Sequence, residues 1–393
     1  MKILFVTDFY LPHVGGLLRF IERISKQMIA DGHEVAYLVP SQTGSPVMGI
    51  KNGNGVKMYE LKSVPWPFYA DVHVALPFQN NLIKNIFNDF KPDIIHVQTN
   101  LNLARAVLSV AKEQNIPIVC TNHFMSENVF PKLPFPDFFE NWLDVIMWRN
   151  LNVFFSKFDA LTSPSHWGAG YLKNKGVKRD VHVISNGIDL TVFSSKNKNE
   201  EYIGKKYKIP KAEFYLLYVG RIDKEKNIDI ILKAMKLLNK KHDICLVVAG
   251  KGTELVRLKA LSRKIGMDEH IILTGFVPDE DLRSLYKFSD AFIISSIAEL
   301  QSIVTLEAMA SGLPVLAANA GALPELVKNN VNGHLFNPLD VHEIAKAIDD
   351  LFSTKKNIER EGQESIKTAN THDIKKSAKK FEDLYLTVIK ENH

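Results

Sequence analysis

Short β-rich runs alternate with longer amphipathic stretches along nearly the whole chain, and this alternation restricts the fold more than any other feature. In the first half the runs are KILFVT (2–7), EVAYLV (34–39), VKMYEL (56–61), DIIHVQ (93–98), PIVCTN (117–122), ALTSPS (160–165) and VHVISN (181–186). Helical patterns separate several of them, as at 17–32 and 81–90. In the first of these, Leu17, Phe20, Ile21, Ile24 and Met28 recur at the spacing of one helix face, and Gly32 stands where a C-terminal cap belongs. Strands and helices alternating in this way predict an α/β fold, a parallel sheet covered on both faces. Residues 194–208, SSKNKNEEYIGKKYK, break the texture; polar and nearly free of apolar periodicity, they read as an interdomain connection. The alternation then restarts with FYLLYVG (214–220), ICLVVAG (244–250), IILTGF (271–276), AFIISS (291–296), PVLAAN (314–319) and HLF (334–336). Two Rossmann-like halves joined by a polar segment is the predicted organisation. A last helix, 374–391, carries Ile374, Ala378, Phe381, Tyr385 and Val388 on one stripe. No strand follows it, so it must dock on existing surface.

Composition excludes several classes. At 393 residues the chain is long enough for two or three domains of roughly 100–200 residues each. Its 46% hydrophobic and 24% charged content rules out disorder, collagen and a low-complexity scaffold. Two cysteines, Cys120 and Cys245, make neither a disulfide framework nor a four-ligand zinc site; each ends or interrupts an apolar run and reads as a buried thiol. The net charge of +5 is mild and spread out, which argues against a nucleic-acid partner and is compatible with an anionic ligand or a membrane surface. No run reaches the roughly 18 apolar residues of a transmembrane helix, and the N-terminus meets Asp8 too soon for a signal peptide. A cytoplasmic protein is expected, with peripheral attachment to the inner face of the plasma membrane left open.

In open α/β sheets ligands bind beyond the C-terminal ends of strands, where backbone amides and helix starts favour anions. Three such places carry suggestive residues. The first is TDFYLPHVGG (7–16), whose Gly15 and Gly16 open the helix from Leu17. They serve either a close approach of backbone to phosphate or simply a tight loop; a dinucleotide fingerprint and a Walker lysine are both lacking. The second follows strand 214–220: Arg221 and Lys226 leave the strand end together, a bidentate fork and a point charge suited to a diphosphate. Lys224 and Glu225 beside them read as solvated charges. The third is 295–312, SSIAELQSIVTLEAMASG, where a short helix starts near Ser302 and stops at Gly312. Amides of Ser302, Ile303 and Val304 would point at an anion. Glu299 and Glu307 would repel a phosphate, but carboxylates accept pairs of hydrogen bonds from sugar diols. The spacing describes a nucleotide-sugar pocket, with Glu299 on the sugar and Glu307 on the ribose.

The Glu-x7-Glu pair, Arg221 with Lys226, Asn186-Gly187-Ile188-Asp189 with Phe193, Gly15-Gly16, Gly275-Phe276-Val277 and the run Gly321–Val327 together resemble the family 4 retaining glycosyltransferases of the GT-B fold, over essentially the whole chain. The resemblance implies two Rossmann-like domains facing across a cleft. An acceptor domain would span 1–193, a linker 194–208 and a nucleotide-sugar domain 209–373, with helix 374–391 crossing back to the first. Carried over by position, Arg221 and Lys226 hold the donor diphosphate, Glu307 the ribose and Glu299 the hexose hydroxyls. Gly16 approaches the phosphates, Phe276 and Val277 lie near the base, and Gly250, Gln301, Ser302, Ile303 and Val304 complete the donor set. His123, after strand 117–122, matches the family's histidine beside the reacting sugar. His123, Glu299, Arg221 and Lys226 are thus the expected catalytic residues. No cofactor or metal is expected: Asp279-Glu280-Asp281 reads as the acidic first turn of a helix.

Departures from the family pattern bear on the acceptor. Gln301-Ser302 replaces the usual Phe-Gly, and a Gln there resembles the diacylglycerol glucosyltransferase branch more than the phosphatidylinositol mannosyltransferases. Leu17-Leu18 replaces the more usual Val-Glu or Val-Arg. Residues 124–155 hold seven Phe and two Trp. Within them Phe130–Phe139, broken by three prolines, is expected to face lipid, and Trp142–Phe155 to pack as an apolar helix. The expected reaction is transfer of glucose or mannose from a nucleoside diphosphate sugar, UDP favoured over GDP, to a lipid hydroxyl. The competing readings are a soluble or glycan-precursor acceptor, a nucleotide-sugar epimerase, a dinucleotide oxidoreductase and a non-catalytic nucleotide-sugar-binding module.

Overall fold

The computed structural model describes residues 1–10, 15–52, 55–66, 69–126, 137–193, 200–238 and 241–392. The lipid-facing expectation for Phe130–Phe139 lies outside the described residues and side chains. The chain divides into two compact units, each built on its own sheet. The first comprises the chain through Ser126, the stretch from the helix Asp137–Phe155 to Gly187, and the terminal helix from Ile374; the second runs from Ile188 to Asp373.

The first sheet has eight strands in the order Val181–Val183, Ala160–Ser163, Ile118–Thr121, Ile94–Val97, Lys2–Val6, Glu34–Pro40, Lys57–Leu61 and Val47–Lys51. All neighbours pair in parallel except the last two. Its central strands are buried along their length, as Ile94–Val97 and Ile118–Thr121 show. That is why they read as unbroken apolar runs and not as alternating ones. The helix Gly16–Ala30 buries Phe20, Ile21, Ile24 and Met28 as its periodicity predicts, with Leu18 and not Leu17 completing the face. It ends at Gly32 with φ +88°. Sequence patterning misses the edge strand Val47–Lys51 and the hairpin Ser63–Trp66 with Tyr69–Ala75. These are short, and Gly49 and Pro65 blur their alternation.

The second sheet is parallel throughout, in the order Ile271–Gly275, Ile244–Ala249, Phe214–Val219, Ala291–Ile294, Val315–Ala318 and Gly333–Phe336. The order reverses between Phe214–Val219 and Ala291–Ile294, and the same kind of reversal flanks Lys2–Val6 in the first sheet. Loops diverge there and leave a crevice beyond the strand ends. Cys120 and Cys245 are free and buried, as expected.

Three readings of the sequence change. Residues 200–208, taken as linker, contain the helix Glu200–Lys206, which buries Ile203 completely. Lys206 pairs with Asp281 at 2.6 Å, and Tyr207 donates to the same carboxylate at 2.6 Å. A single buried apolar residue is too little for periodicity to reveal. Residues 188–193, taken with the first domain, belong to the second unit, where Ile188 and Phe193 enter the core and Phe193 meets Tyr286. The helix Asp137–Phe155 is only half packed: Trp148, Leu151, Phe154 and Phe155 are buried, whereas Trp142, Val145, Ile146 and Val153 are exposed.

The terminal helix Ile374–Asn392 buries its predicted stripe against the first unit. Phe381 packs on Phe20 and on His96, at 6.0 and 5.2 Å between ring centres. Tyr385 Oη bonds to His96 Nδ1 at 2.6 Å, and His96 Nε2 bonds to Thr121 Oγ1 at 2.6 Å. With its proton on Nε2, this buried imidazole is satisfied at both nitrogens. Removing the Tyr385 hydroxyl in Tyr385→Phe strands Nδ1 without a partner and should cost about 1–3 kcal/mol in urea unfolding. A change within a few tenths would mean that the helix is held by its apolar stripe alone.

Candidate active site

In the second unit, the loops after Phe214–Val219 and Ala291–Ile294 meet at the reversal of strand order. Gly220, Arg221, Asp223 and Lys226 follow the first strand; Ser295, Ser296, Glu299 and Ser302 follow the second. Lys226 Nζ lies 2.8 Å from Glu299 Oε1 and donates to Ser296 Oγ at 3.1 Å. Both charged side chains are mostly buried, at 12% and 15% exposure. The Lys226 carbonyl in turn accepts from Ser295 Oγ at 2.6 Å, so both strand ends are laced together. Arg221 is half exposed, and its guanidinium pairs with Asp223 and, at 3.0 Å, with Glu225. Glu225 is therefore not the solvated charge that its neighbourhood suggested; it is buried and aims the arginine. Asp223 also accepts from the Thr253 amide and hydroxyl, at 3.2 and 3.1 Å.

The helix Ile303–Ala310 starts beside this cluster, with Ser302 as its cap accepting from the Thr305 amide. Its first-turn amides at Ile303 and Val304 have no intrahelical acceptor and supply positive partial charge. Ser302, Ile303 and Gln301 are buried or nearly so, Val304 partly. Glu307 is fully buried and accepts from Tyr286 Oη at 2.9 Å. A ribose would reach it only after the groups covering it move. Phe276 is exposed with Lys251 Nζ 5.8 Å from its ring centre. Val277, expected near the base with it, packs its side chain in the core. Gly250 adopts φ +157°, and a Cβ there would fall 1.8 Å from the Gly220 carbonyl oxygen. Its glycine is thus required by the packing of two strand-end loops, whatever else it contacts.

Gly321 has the most direct bearing on the site. It holds φ +56°, and a Cβ on it would sit 2.8 Å from the Glu299 carbonyl oxygen. The next amide, Ala322, donates to that oxygen at 2.9 Å. The run from Gly321 therefore backs the Glu299 loop.

In the first unit, Gly16 begins the helix whose Phe20 packs against His123, at 5.3 Å between ring centres. His123 follows the strand Ile118–Thr121, and its Nε2 bonds to Gln98 Oε1 at 3.0 Å. Burial lowers the imidazole pKa to about 3, so the ring is neutral at physiological pH and serves as a hydrogen-bonding group and not a cation. Gln98 Nε2 is buried with no partner. Turning the amide over would orphan the oxygen instead, so Gln98 keeps one unmet polar atom next to His123 in either orientation. Asp8, fully buried, accepts from Thr99 Oγ1 at 2.5 Å and from the Leu103 amide at 3.0 Å. Burial raises its pKa.

The structure thus brings Arg221, Lys226, Glu299 and the helix start at Ser302 together, and sets His123 near the helix of Gly16. Sequence reasoning overlooked Gln98, Asp8, Asp223, Ser296 and Tyr286. Asp223 and Ser296 stood inside runs already singled out, and a polar residue at a strand end was the available signal. Gln98, directly after the strand Ile94–Val97, bore the same mark, whereas Tyr286 does not, its partner lying 21 residues away.

Two outcomes follow. Gly321→Ala should leave the fold intact but displace Glu299, lowering transfer at least tenfold (about 1.4 kcal/mol); unaltered kinetics would show that the loop yields freely. Burial also depresses the pKa of His96, so the unfolded chain binds protons at both histidines below about pH 6.5 while the folded chain does not. The stabilising contribution is complete above that pH and declines as pH falls toward the folded values. His123→Gln should remove up to about 1.4 kcal/mol per pH unit from that decline between about pH 6.5 and 5, read from urea unfolding curves.

Comparison with known proteins gives the family and the fold. Residues 14–192 match the model of Glycosyltransferase Family 4, and residues 199–368 that of Glycosyl transferases group 1. An alpha-monoglucosyldiacylglycerol synthase of Streptococcus pneumoniae is 28% identical over 352 residues, 88% of this chain and 77% of that one. Among solved structures, a sucrose-phosphate synthase of Thermosynechococcus elongatus superposes with a TM-score of 0.78 at 18% identity, covering 99% of both chains. Anabaena HepE, solved with UDP and glucose, gives 0.76 at 18% identity, over 98% of this chain and all of that one. The chain has the GT-B fold and belongs to family 4 of the glycosyltransferases, as a hexosyltransferase.

Proposed function

We propose that the chain transfers a hexose, glucose ahead of mannose, from a nucleoside diphosphate sugar to a hydroxyl of a lipid of the diacylglycerol type, with retained anomeric configuration. The observation that carries the donor half is the meeting of Arg221, Lys226 and Glu299 beside the start of the helix Ile303–Ala310. When a diphosphate leaves, negative charge grows on its oxygens. A guanidinium, an ammonium and helix-start amides held in advance stabilise that charge without reorganising. In this reading Lys226 moves from Glu299 to the diphosphate as donor binds, and Glu299, released, accepts from hexose hydroxyls. The cations do the work that a divalent metal would otherwise do, so none is required. Likeness to the diacylglycerol glycolipid synthase and Gln301 support the lipid half and the choice of UDP. The enzyme would then work as a peripheral protein at a membrane surface.

The test is release of nucleoside diphosphate from UDP-glucose and GDP-mannose, with and without diacylglycerol vesicles, alongside extraction of labelled lipid. The expected result is lipid-dependent UDP release and a labelled glycolipid, both insensitive to EDTA. Lys226→Ala and Glu299→Gln should each lower the rate by roughly 10²-fold or more. Transfer only to water-soluble sugars would replace the lipid reading, and loss in EDTA restored by manganese would end the metal-free one. Equal donor turnover in His123→Ala would remove His123 from the catalytic residues.

A further inference from the structure

Neighbouring strands of the first unit carry two imidazoles that burial keeps neutral, His96 within Ile94–Val97 and His123 just after Ile118–Thr121. His96 is met at both nitrogens, by Tyr385 and Thr121. His123 is met at one. Its Nε2 lies 3.0 Å from Gln98 Oε1, and its Nδ1 has no hydrogen-bond partner among the described residues. The ring is otherwise held in place. Phe20 packs against it at 5.3 Å between ring centres. The residues on either side of it are tied together: the Phe124 amide donates to Asn122 Oδ1 at 3.2 Å, and Asn122 Nδ2 donates to the Phe124 carbonyl at 3.1 Å. The Asn122 amide donates to the Thr162 carbonyl on the next strand at 2.9 Å. Gln98 is fixed as well, its backbone amide donating to the Val6 carbonyl at 2.9 Å. His123 keeps part of its surface exposed, whereas Gln98 is 1% exposed.

Stability gives no reason for a glutamine here. Its Nε2 is buried without a partner, which costs at least what a single hydrogen bond returns. We propose that Gln98 is a positioning residue that selects the tautomer of His123: its side-chain oxygen keeps the ring proton on Nε2 and leaves Nδ1 a lone pair that accepts from a substrate hydroxyl. In a neutral imidazole, the bond made by one nitrogen decides whether the other donates or accepts. An amide turned over would donate to Nε2, put the proton on Nδ1 and make the open nitrogen a donor. With the ring pinned by Phe20 and by the Asn122–Phe124 pair, a hydroxyl bonded to Nδ1 is fixed in direction too. The inference rests on the placing of His123 beside the reacting sugar for its effect on transfer, though not for the tautomer itself.

The test is a long-range proton–nitrogen correlation spectrum of the full chain, isotope-labelled at the histidine nitrogens, with the His123 signals assigned by their absence in His123→Gln. Wild type should show a proton on Nε2 and a lone pair on Nδ1. Gln98→Leu should give averaged tautomers and lower kcat for donor turnover roughly tenfold or more, with KM for the donor little altered. Its melting temperature should change little, because the bond lost at His123 is offset by removal of the unmet amide nitrogen. A carboxylate can only accept. Gln98→Glu, assayed at about pH 8.5 where imidazole is ordinarily neutral, should therefore keep the wild-type tautomer and most of the rate. A proton on Nδ1 in wild type would overturn the proposal. So would Gln98→Leu with the wild-type spectrum and rate, or a folded Gln98→Glu as slow as Gln98→Leu. A tautomer that depends on Gln98 beside unaltered transfer in His123→Ala overturns it on the side of catalysis. None of these outcomes depends on which hydroxyl receives the hexose, so transfer only to soluble sugars would end the lipid reading and leave this one standing.

Discussion

Lys226 and Glu299 meet at 2.8 Å because two neighbouring parallel strands end side by side where the strand order reverses. Parallel strands deliver all their C-terminal ends to one edge, and the reversal sends the following helices to opposite faces. A crevice opens there, and whatever polar groups follow the two strands must settle their charges within it. The site's remaining features answer to that need. Ser295 and Ser296 tie the lysine to the far strand, Glu225 and Asp223 hold Arg221, and Gly321 leaves room behind Glu299.

The cluster stays folded because each of its charges has an opposite partner, although their sum is negative. Two cations face three carboxylates, Asp223, Glu225 and Glu299, so neither charge sign is left buried without a counterpart. A pair this well covered contributes little net stability, because desolvation offsets most of its attraction. It does keep the lysine extended toward the place where a ligand's charge would fall. His123 follows a different logic. Kept neutral by burial and bonded to Gln98, it offers directional hydrogen bonding without adding charge. The terminal helix reaches the layer behind it, since Phe381 packs on Phe20 and Phe20 packs on His123.

Surface chemistry divides in the same physical terms. The helix Asp137–Phe155 spends one apolar face on the core and keeps Trp142, Val145, Ile146 and Val153 exposed, with Asp144 paired to Lys175 on the packed side. In this it differs from Gly16–Ala30, whose apolar residues are mostly buried.

By itself the sequence determined the two α/β halves, the phases of the first and last helices, the buried thiols, and the strand-end positions of Arg221, Lys226, Glu299 and His123. Each is written in local periodicity or in a residue's place relative to a strand end, so neighbours along the chain suffice to read it. Only the tertiary structure decided who faces whom. Lys226 and Glu299 are 73 residues apart, and Tyr385 and His96 are 289. Glu225 looked solvated until Arg221 folded onto it. Ile203 was a single apolar residue in a polar run, and the exposed side of Trp142 could not be told from the buried side of Trp148. A helix that is apolar all round has no moment to orient it, and burial is then settled by which face the sheet and its neighbours happen to reach.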